Sequence, residues 1–409
     1  MAKIIPFRAV RPTRDKVGLV AARSYQSYTP AERESRLNHN PYSFLHIVNP
    51  GYKYQKEITG EERYKLVRNR YLEFKEEHVF IQDDKACFYA YQIINREGEK
   101  FLGIIAAASA EDYENNIIKK HEDTISEKEE TFKEYLKTVG FNAEPVLLTY
   151  PDNSIIKETL TLISKERAEY EFTTTYRDTH YLWKIEDQAT IKLLQNEFEN
   201  MDCLYIADGH HRSASSYLLS QDLEKDNKGG TSHKFFMSYL IPESDLRIYE
   251  FNRLIKDLNG LSKEEFLIKL DEWYRIENRG QEYYKPSKPH HFSMYLEGEF
   301  YSLYLRKMQY NFENALEELD AQLLYRTILQ PILGIENLRT DNRIEYSDGK
   351  KDIVFLKSKV DNGEFKVGFG LYPASTEQMK KIADQNLTMP PKSTFISPKL
   401  RSGITIYEF

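Results

Sequence analysis

The sequence predicts an α/β protein of the α+β type, in which a mixed β-sheet carries a strand, a turn and a helix suited to phosphate binding. Three observations lead to this fold class. Apolar runs with two-residue alternation, such as "CFYAYQII", are followed by turn residues, as in hairpins. Amphipathic runs with capping residues, such as "TPAERESRL", are typical of helices. The run "CLYIADGHHRSASSYLL" joins a buried strand to a helix through a turn that contains glycine.

The first part of the chain alternates strands and helices. Strands are predicted at "IIPFRAVRP", "YSFLHIV", "CFYAYQII", "FLGIIAAAS", "PVLLTY", "CLYIA" and "KFFMSYLIP". Helices are predicted at "TPAERESRL", "GEERYKLVRNRYLEFKEE", "SIIKETLTLISKERAEY", "QATIKLLQNEFENM", "SASSYLLSQDLEKD" and through most of the polar region 112–140. Thr29 caps the first of these helices, with Pro30 at its first position. The turn "NREGEK" makes its two flanking strands an antiparallel pair, and "NKGG" is a loop.

The pattern changes near residue 245, and we predict a catalytic region at 1–245 and a further α/β region at 246–409. Ser262 and Glu265 form a capping box on the helix "KEEFLIKLDEWYRI". The segment "HFSMYLEGEFYSLYL" is a hairpin around Glu297 and Gly298. Further helices are predicted at "NALEELDAQLLYRTIL" and "TEQMKKIADQ", and strands at "LRIYEF", "DIVFLK", "FKVGFGLY" and "GITIYEF".

Composition limits the classes of function. The 409 residues include 30% charged and 40% hydrophobic residues, as in ordinary globular proteins, and the net charge of -7 disfavours a nucleic-acid partner. Cys87 and Cys203 lie far apart in apolar surroundings, which favours reduced thiols over a disulfide or zinc site. The longest apolar window, "FLGIIAAASA", is too short to cross a membrane, and the charged N-terminus does not look like a secretory signal. We therefore expect a cytoplasmic protein with no membrane partner.

The motif "ADGHHRS" combines residues that favour an anion site. A strand that turns into a helix through Gly209 presents backbone N–H groups and the positive end of the helix dipole. Arg212 can bind phosphate or carboxylate oxygens in a fork, and His210 and His211 can donate further hydrogen bonds. Of the motif residues, Asp208 and His210 are the candidate catalytic residues. Asp208 would repel an anion unless a proton or metal intervenes, so we expect it to hold Mg²⁺ or to fix a histidine tautomer. The ordinary alternative is a helix cap with polar neighbours.

The motif resembles the signature of the ParB and sulfiredoxin-like superfamily, which includes the free serine kinases. Over nearly its whole length the chain is similar to a microbial family known as a conserved domain of unknown function. The segments that carry this resemblance are "IIPFRAVRP", "NPYSFLHIVNP", "DYENNIIKKHEDT", "ADGHHRSAS", "LRIYEFNRLIKDL" and "MPPKSTFISPKLRSG". The resemblance implies that the "DGHHR" loop binds nucleotide phosphates.

A second cluster, "EDYENNIIKKHEDT", is predicted to be helical, with salt-bridge pairs four residues apart. From spacing alone it is a solvated helix. The family resemblance adds Lys120 as a substrate-binding residue and His121 and Glu122 as catalytic residues.

Two further clusters complete the candidate site. The segment "MPPKSTFISPKLRSG" supplies three cations and two hydroxyls for a second contact with phosphate, unless it is a solvated tail. These residues are Lys392, Ser393, Thr394, Lys399 and Arg401. In the ParB-like kinases the proton acceptor is a glutamate in the N-terminal part, and Glu32 and Glu34 are available here, although both lie on a helix. Where the wider family often has Tyr-Asp, this chain has Tyr25-Gln26.

These observations lead to one main hypothesis and two alternatives. The main one is a small-molecule phosphotransferase similar to a free L-serine kinase, using Mg²⁺ and a donor that is pyrophosphate, ADP or ATP. The sequence has no P-loop and no protein-kinase signature, so the "DGHHR" turn would hold the donor. The alternatives are a ParB-like nucleic-acid-binding protein and a metal-dependent nuclease, whose substrate would need a positively charged groove.

Overall fold

The computed structural model describes residues 1–225, 230–351 and 353–409, and the chain divides into two compact units. Unit 1 comprises residues 1–120, 124–246 and 398–409, and unit 2 comprises residues 121–123 and 247–397. The division at 246/247 lies beside the predicted boundary at 245. The C-terminal residues 398–409, however, belong to the first unit.

The described strands and helices alternate along most of the chain. The strands are β1 Ile4–Ile5, β2 Val10–Pro12, β3 Phe80–Gln82, β4 Phe88–Ile94, β5 Lys100–Ser109, β6 Ile118–Lys119, β7 Phe141–Asn142, β8 Val146–Tyr150, β9 Tyr170–Thr173, β10 Thr179–Ile185, β11 Leu204–Asp208, β12 Phe235–Pro242, β13 Arg247–Tyr249, β14 Phe251–Ile255, β15 Tyr274–Gly280, β16 His291–Leu296, β17 Glu299–Leu305, β18 Ile344–Asp348, β19 Val367–Gly370, β20 Phe395–Ser397 and β21 Tyr407–Glu408. The helices are α1 Val17–Val20, α2 Pro30–His39, α3 Leu45–Val48, α4 Gly60–Glu76, α5 Ala110–Glu114, α6 Ser126–Val139, α7 Ser154–Ile163, α8 Gln188–Glu199, α9 His210–Lys225, α10 Lys263–Asp271, α11 Asp320–Leu324, α12 Ile353–Asp361 and α13 Thr376–Asp384.

Unit 1 is built on a mixed sheet with the strand order β6-β11-β8-β12-β5-β4-β10-β9, and β1 also pairs with β5. The pairs β6–β11 and β8–β12 are parallel, whereas β11–β8, β12–β5 and β4–β5 are antiparallel. This mixture of directions confirms the predicted fold class. It also places the motif strand β11 between β6 and β8.

Unit 1 contains two hydrophobic clusters. The first joins sheet residues such as Ile104 and Leu240 to Leu194 and Phe198 of α8. The second joins Tyr71 of α4 to residues from both ends of the chain. Burial of apolar surface in the first cluster stabilises the sheet on which the motif lies.

Unit 2 contains a separate sheet with the order β15-β17-β16-β19-β14-β18, and its described pairs are antiparallel. Leu356 and Val360 of α12 pack on Leu254, Tyr295 and Phe300 of this sheet. A small two-stranded sheet, β13–β20, completes the described pairing.

Several local predictions are confirmed. Thr29 caps α2 and the capping box of Ser262 and Glu265 on α10 is present, as predicted; α2 also has a capping box between Thr29 and Glu32, which was not predicted from the sequence. Strands β16 and β17 form the predicted hairpin around Glu297 and Gly298, whose φ angles of 47° and 86° suit a type I′ turn. Strands β4 and β5 pair antiparallel.

Other predictions are wrong, because short apolar runs do not distinguish a strand from a helix. The predicted strand "YSFLHIV" contains helix α3, whose Leu45 and Ile47 are buried in the core. The predicted strand "DIVFLK" is helix α12 from Ile353 onward, and its first residue lies outside the described residues. Residues 227–229 of the predicted loop "NKGG", like residue 226 at the end of the predicted motif helix, also lie outside them.

Several long predicted elements are broken or end early. The strand "IIPFRAVRP" divides into β1 and β2, because Pro6 lacks the N–H group that a sheet ladder needs. The helix "NALEELDAQLLYRTIL" begins only at Asp320 and continues as a π-helical segment at Tyr325–Leu329.

Candidate functional site

The motif lies at the junction between β11 and α9. The pairing of β11 with β8 shifts register between Ile206 and Asp208, immediately before the turn. Gly209 has a φ of 106°, which L side chains rarely adopt, and its carbonyl accepts the first helical hydrogen bond from Ser213 N at 3.0 Å. The chain therefore changes abruptly from strand to helix, as the motif predicted.

Arg212 folds back over this glycine. A Cβ atom at position 209 would lie 3.0 Å from Arg212 Nη2, closer than nearly all real Cβ contacts. Arg212 Nη1 forms an ion pair with Glu144 Oε1 at 2.9 Å and donates to the carbonyl of Pro145 at 2.6 Å. Arg212 Nη2 lies 4.0 Å from Asp208 Oδ1, beyond hydrogen-bond distance. One edge of the guanidinium is thus anchored by protein oxygens while the other faces the turn.

Asp208 and His210 have opposite environments. Asp208 is 41% exposed, and its Oδ2 accepts a hydrogen bond from Lys399 Nζ at 3.1 Å. Burial alone would raise the pKa of the Asp208 carboxyl, but the charges of Lys399 and Arg212 lower this pKa below its ordinary value. His210 is buried, and desolvation lowers its pKa to about 4. At neutral pH the motif therefore holds an ionised aspartate beside a neutral histidine.

His211 and Arg212 line an open cavity of about 900 Å³ within unit 1, which we call the motif cavity. Its other charged lining residues are the cations Arg23, Arg63 and Lys128 and the carboxylates Glu127 and Glu144. Cations thus outnumber carboxylates, and Glu144 is already paired with Arg212. The cavity suits a small anionic ligand.

Aromatic rings form another part of the motif cavity. Tyr64, Phe132 and Tyr135 all line it. The ring centroids of Tyr64 and Tyr135 are 5.3 Å apart, and those of Phe132 and Tyr135 are 5.4 Å apart. Such rings offer apolar faces on which a planar ligand group can stack.

The predicted helix over "EDYENNIIKKHEDT" is wrong beyond Glu114. Asn116 has a φ of 55°, and Ile117 N donates to Asp112 O, which ends α5; β6 then pairs with β11. Lys120, His121 and Glu122 therefore follow an extended segment, not a helix face. Lys120 lies 4.7 Å from the ring centroid of Tyr113 in unit 1. His121 and Glu122 belong to unit 2, where the main-chain oxygen of the buried His121 accepts from Met389 N.

The segment "MPPKSTFISPKLRSG" is divided between the units. Lys392, Ser393 and Thr394 belong to unit 2; Ser393 and Thr394 are buried, and Ser393 Oγ donates to Pro390 O at 2.6 Å. Lys399 and Arg401 belong to unit 1. Lys399 binds Asp208, whereas the buried Arg401 pairs with Asp178 at 2.5 Å.

Glu32 occupies the capping box of α2. Its carboxylate accepts from Thr29 N at 2.8 Å, and hydrogen bonds from the Thr29 backbone and side chain lower the pKa of Glu32. A carboxylate with a lowered pKa is a weaker proton acceptor. Its assignment as the catalytic base stays a prediction that this geometry disfavours.

The sequence did not indicate the residues from other parts of the chain that pair with Arg212 or line the same cavity. Glu144 anchors Arg212, and Arg23, Arg63 and Lys128 supply positive charge. No short pattern marks these residues, since they come from separate elements and meet only in the folded unit.

Within the described ranges, no group of three or more His, Cys, Asp or Glu residues is placed to hold a metal ion. In the same ranges, no helix has the length and apolar character needed to span a bilayer.

A family model described as "Protein of unknown function (DUF1015)" matches residues 4–322. The chain belongs to this family. The match confirms the resemblance to a conserved family of unknown function that the sequence segments indicated. No curated protein sequence matches this DUF1015 chain.

Solved structures similar to this DUF1015 chain include a free serine kinase in complex with AMP, at 14% identity and a TM-score of 0.34, covering 74% of this chain and 91% of that chain. They also include SbnI with a C-terminal truncation from Staphylococcus aureus, at 12% identity and a TM-score of 0.38, covering 73% and 85% respectively. A conserved hypothetical protein from Pyrococcus furiosus is similar at 14% identity and a TM-score of 0.35, covering 74% and 94%.

Proposed function

We propose that this protein is a small-molecule phosphotransferase that transfers a phosphoryl group to a hydroxyl group, with L-serine as the expected acceptor. One observation carries the proposal: Arg212, held across Gly209 at the start of α9, lines a cavity together with three further cations. Serine comes from the resemblance of "ADGHHRS" to the free serine kinases.

The chemistry of phosphoryl transfer suits this arrangement. Catalysis of this reaction depends mainly on positioning the phosphate and neutralising its charge. A guanidinium binds two phosphate oxygens at once, and the start of α9 adds N–H groups and the positive end of a helix dipole. Arg212 is already positioned by Glu144 and Pro145, so little side-chain freedom would be lost when phosphate binds.

The aromatic lining favours a nucleotide donor over pyrophosphate. The rings of Tyr64, Phe132 and Tyr135 give a base a stacking surface in the same cavity as Arg212. A cavity of about 900 Å³ is also large for a ligand as small as pyrophosphate. ADP or ATP is thus the preferred donor.

Magnesium is part of the proposal as an ion that arrives with the donor phosphates. The residues fit this role because Asp208 is a partly exposed carboxylate with a lowered pKa, and Mg²⁺ in nucleotide sites needs only one or two carboxylates in addition to phosphate and water. Bound there, Mg²⁺ would neutralise phosphate charge. Lys399 competes for the same carboxylate oxygen, since it donates to Asp208 Oδ2.

The test is direct. Purified protein is incubated with Mg²⁺ and L-serine and with ADP, ATP or pyrophosphate in turn, and phosphoserine is measured by mass spectrometry. We expect product with a nucleotide, and a loss of about 100-fold or more in rate for Arg212→Ala, as is typical when one charge-stabilising donor is removed. Omission of Mg²⁺ should have a comparable effect.

Arg96→Ala is the matched control, because Arg96 is an exposed arginine of unit 1 that pairs with its neighbour Glu97 and does not line the motif cavity. It should retain the wild-type rate. No phosphoserine with any of the three donors would refute serine as acceptor, and wild-type activity in Arg212→Ala would refute the assigned donor site. Nicking of plasmid DNA would favour the nuclease alternative.

A further inference from the structure

A second cavity of about 980 Å³ lies within unit 1, and we call it the arginine cavity. It is lined by parts of α1 and α2, by the segment that follows β9, and by Arg401. The cations of its lining are Arg14, Arg36 and Arg401. The two cavities share no lining residue, but they are neighbours, because Arg23 of the motif cavity stacks on Tyr176 of the arginine cavity.

Three guanidinium groups surround one aromatic ring beside this cavity. The Cζ atoms of Arg23, Arg36 and Arg401 lie 3.3, 5.1 and 5.5 Å from the ring centroid of Tyr176. Asp178 pairs with Arg401. Burial and the positive charge of Arg401 lower the pKa of Arg23, so the three cations are incompletely compensated.

The cavity wall also contains buried polar atoms that make no hydrogen bond within the described part of the chain. Arg401 is 4% exposed, and its Nε has no partner there; Thr174 Oγ1 is likewise buried and unpartnered. Both residues line the arginine cavity. A buried donor without an acceptor is costly, and a bound oxygen would remove that cost.

The acidic residues of the cavity do not supply this acceptor. Asp15 forms an ion pair with Lys16 at 2.8 Å, and Glu32 closes the capping box of α2. Arg36 Nη2 donates to Thr175 Oγ1 at 3.0 Å, and its charge is opposed by Glu32, whose pKa it helps to lower. The cavity thus combines excess positive charge with unused donors.

We propose that the arginine cavity is a second anion-binding site, which takes a small molecule bearing a phosphate or carboxylate group. A carboxylate and a phosphate each have oxygen atoms that a guanidinium group can bind through two parallel hydrogen bonds. Tyr176 holds the guanidinium groups of Arg23, Arg36 and Arg401 together, and Thr174 adds a hydroxyl donor. This site does not depend on the phosphotransferase activity.

The experiment uses the full chain and simple probes. The melting temperature is followed during titration with sodium phosphate, and in a parallel arm with sodium succinate, each against sodium chloride at equal ionic strength. A ligand that binds only the native state raises its melting temperature. All titrations are repeated in Arg212→Ala, in which phosphate binding in the motif cavity is weakened; the rise should persist in this variant.

Arg36→Ala and Thr174→Val should each weaken the apparent affinity for the stabilising anion, by about tenfold for the arginine, as expected for one lost charged hydrogen bond. Arg33→Ala is the matched control, because Arg33 also lies on α2 and stacks 4.3 Å from a tyrosine ring centroid but does not line the cavity. The larger response, to phosphate or to succinate, identifies the ligand class. Absence of any response, or wild-type affinity in both Arg36→Ala and Thr174→Val, would overturn the proposal.

Discussion

At the scale of single residues, Gly209 shows how one backbone position controls the motif. Its φ of 106° is available to glycine, and the absence of a side chain lets Arg212 Nη2 approach the place that a Cβ would occupy. The glycine therefore has two separate roles, in the turn and in the position of the arginine, and a matched pair of variants can separate them.

We expect Gly209→Ala to lose about 1 to 3 kcal/mol of stability through backbone strain, and to bind nucleotide at least about tenfold more weakly because Arg212 is displaced. Gly98→Ala is the control: its φ is 83°, but nothing lies within 4 Å of the added Cβ. It should show similar strain with unchanged affinity. Urea unfolding and calorimetric titration measure the two effects, and equal affinity of the two variants would contradict the role given to Arg212.

At the scale of elements, helix-capping and turn residues predicted the local structure correctly, whereas short apolar runs did not distinguish strands from helices. The Thr29 cap of α2, the capping box of α10 and the turn at Glu297 were predictable because a few neighbouring residues determine each of them. Helix α12 was missed because its buried positions, Ile353, Leu356 and Val360, extend past the apolar run that indicated a strand. Only the longer window contains the helical spacing.

Strands β4, β9 and β10 together enclose a histidine that should make stability depend on pH. His180 of β10 is fully buried, stacks on Phe172 with ring centroids 5.0 Å apart, and its Nδ1 lies 2.7 Å from Tyr91 Oη. Desolvation and the charge of Arg401 lower its pKa to about 3. In the unfolded chain the pKa returns to about 6.5, so the unfolded state binds the extra proton as the pH falls from 7 to 5.

This difference should cost about 2 kcal/mol of stability between pH 7 and pH 5. In His180→Gln that part of the loss disappears, so its free energy of unfolding should fall by about 2 kcal/mol less than that of the wild type over the same interval. Urea unfolding at the two pH values gives the comparison. An identical decrease in both proteins would show that the pKa of His180 is the same in the folded and the unfolded state.

At the scale of the whole molecule, the candidate site depends on contacts between distant parts of the sequence. The strand, turn and helix of the motif were predictable from seventeen consecutive residues, "CLYIADGHHRSASSYLL". The anchor Glu144 was not, because its proximity to Arg212 follows from the pairing of β8 with β11, and neither were the cavity residues Arg23 and Lys128, which come from segments outside this sheet. The same holds for Lys399, which the C-terminal segment brings to Asp208.

The return of residues 398–409 to unit 1 leads to a last prediction. Ile406 is fully buried in the cluster around α4, and its backbone exchanges two hydrogen bonds with Val10, at 2.8 and 3.0 Å. Ile406→Ala should therefore cost about 3 kcal/mol of stability, whereas Leu162→Ala, at a residue that is 63% exposed, should change it by no more than about 0.5 kcal/mol. Hydrogen–deuterium exchange should locate the loss of protection in unit 1, at β2 and α4. Faster exchange confined to residues 247–397 would instead assign the C-terminal segment to unit 2, as the sequence alone had indicated.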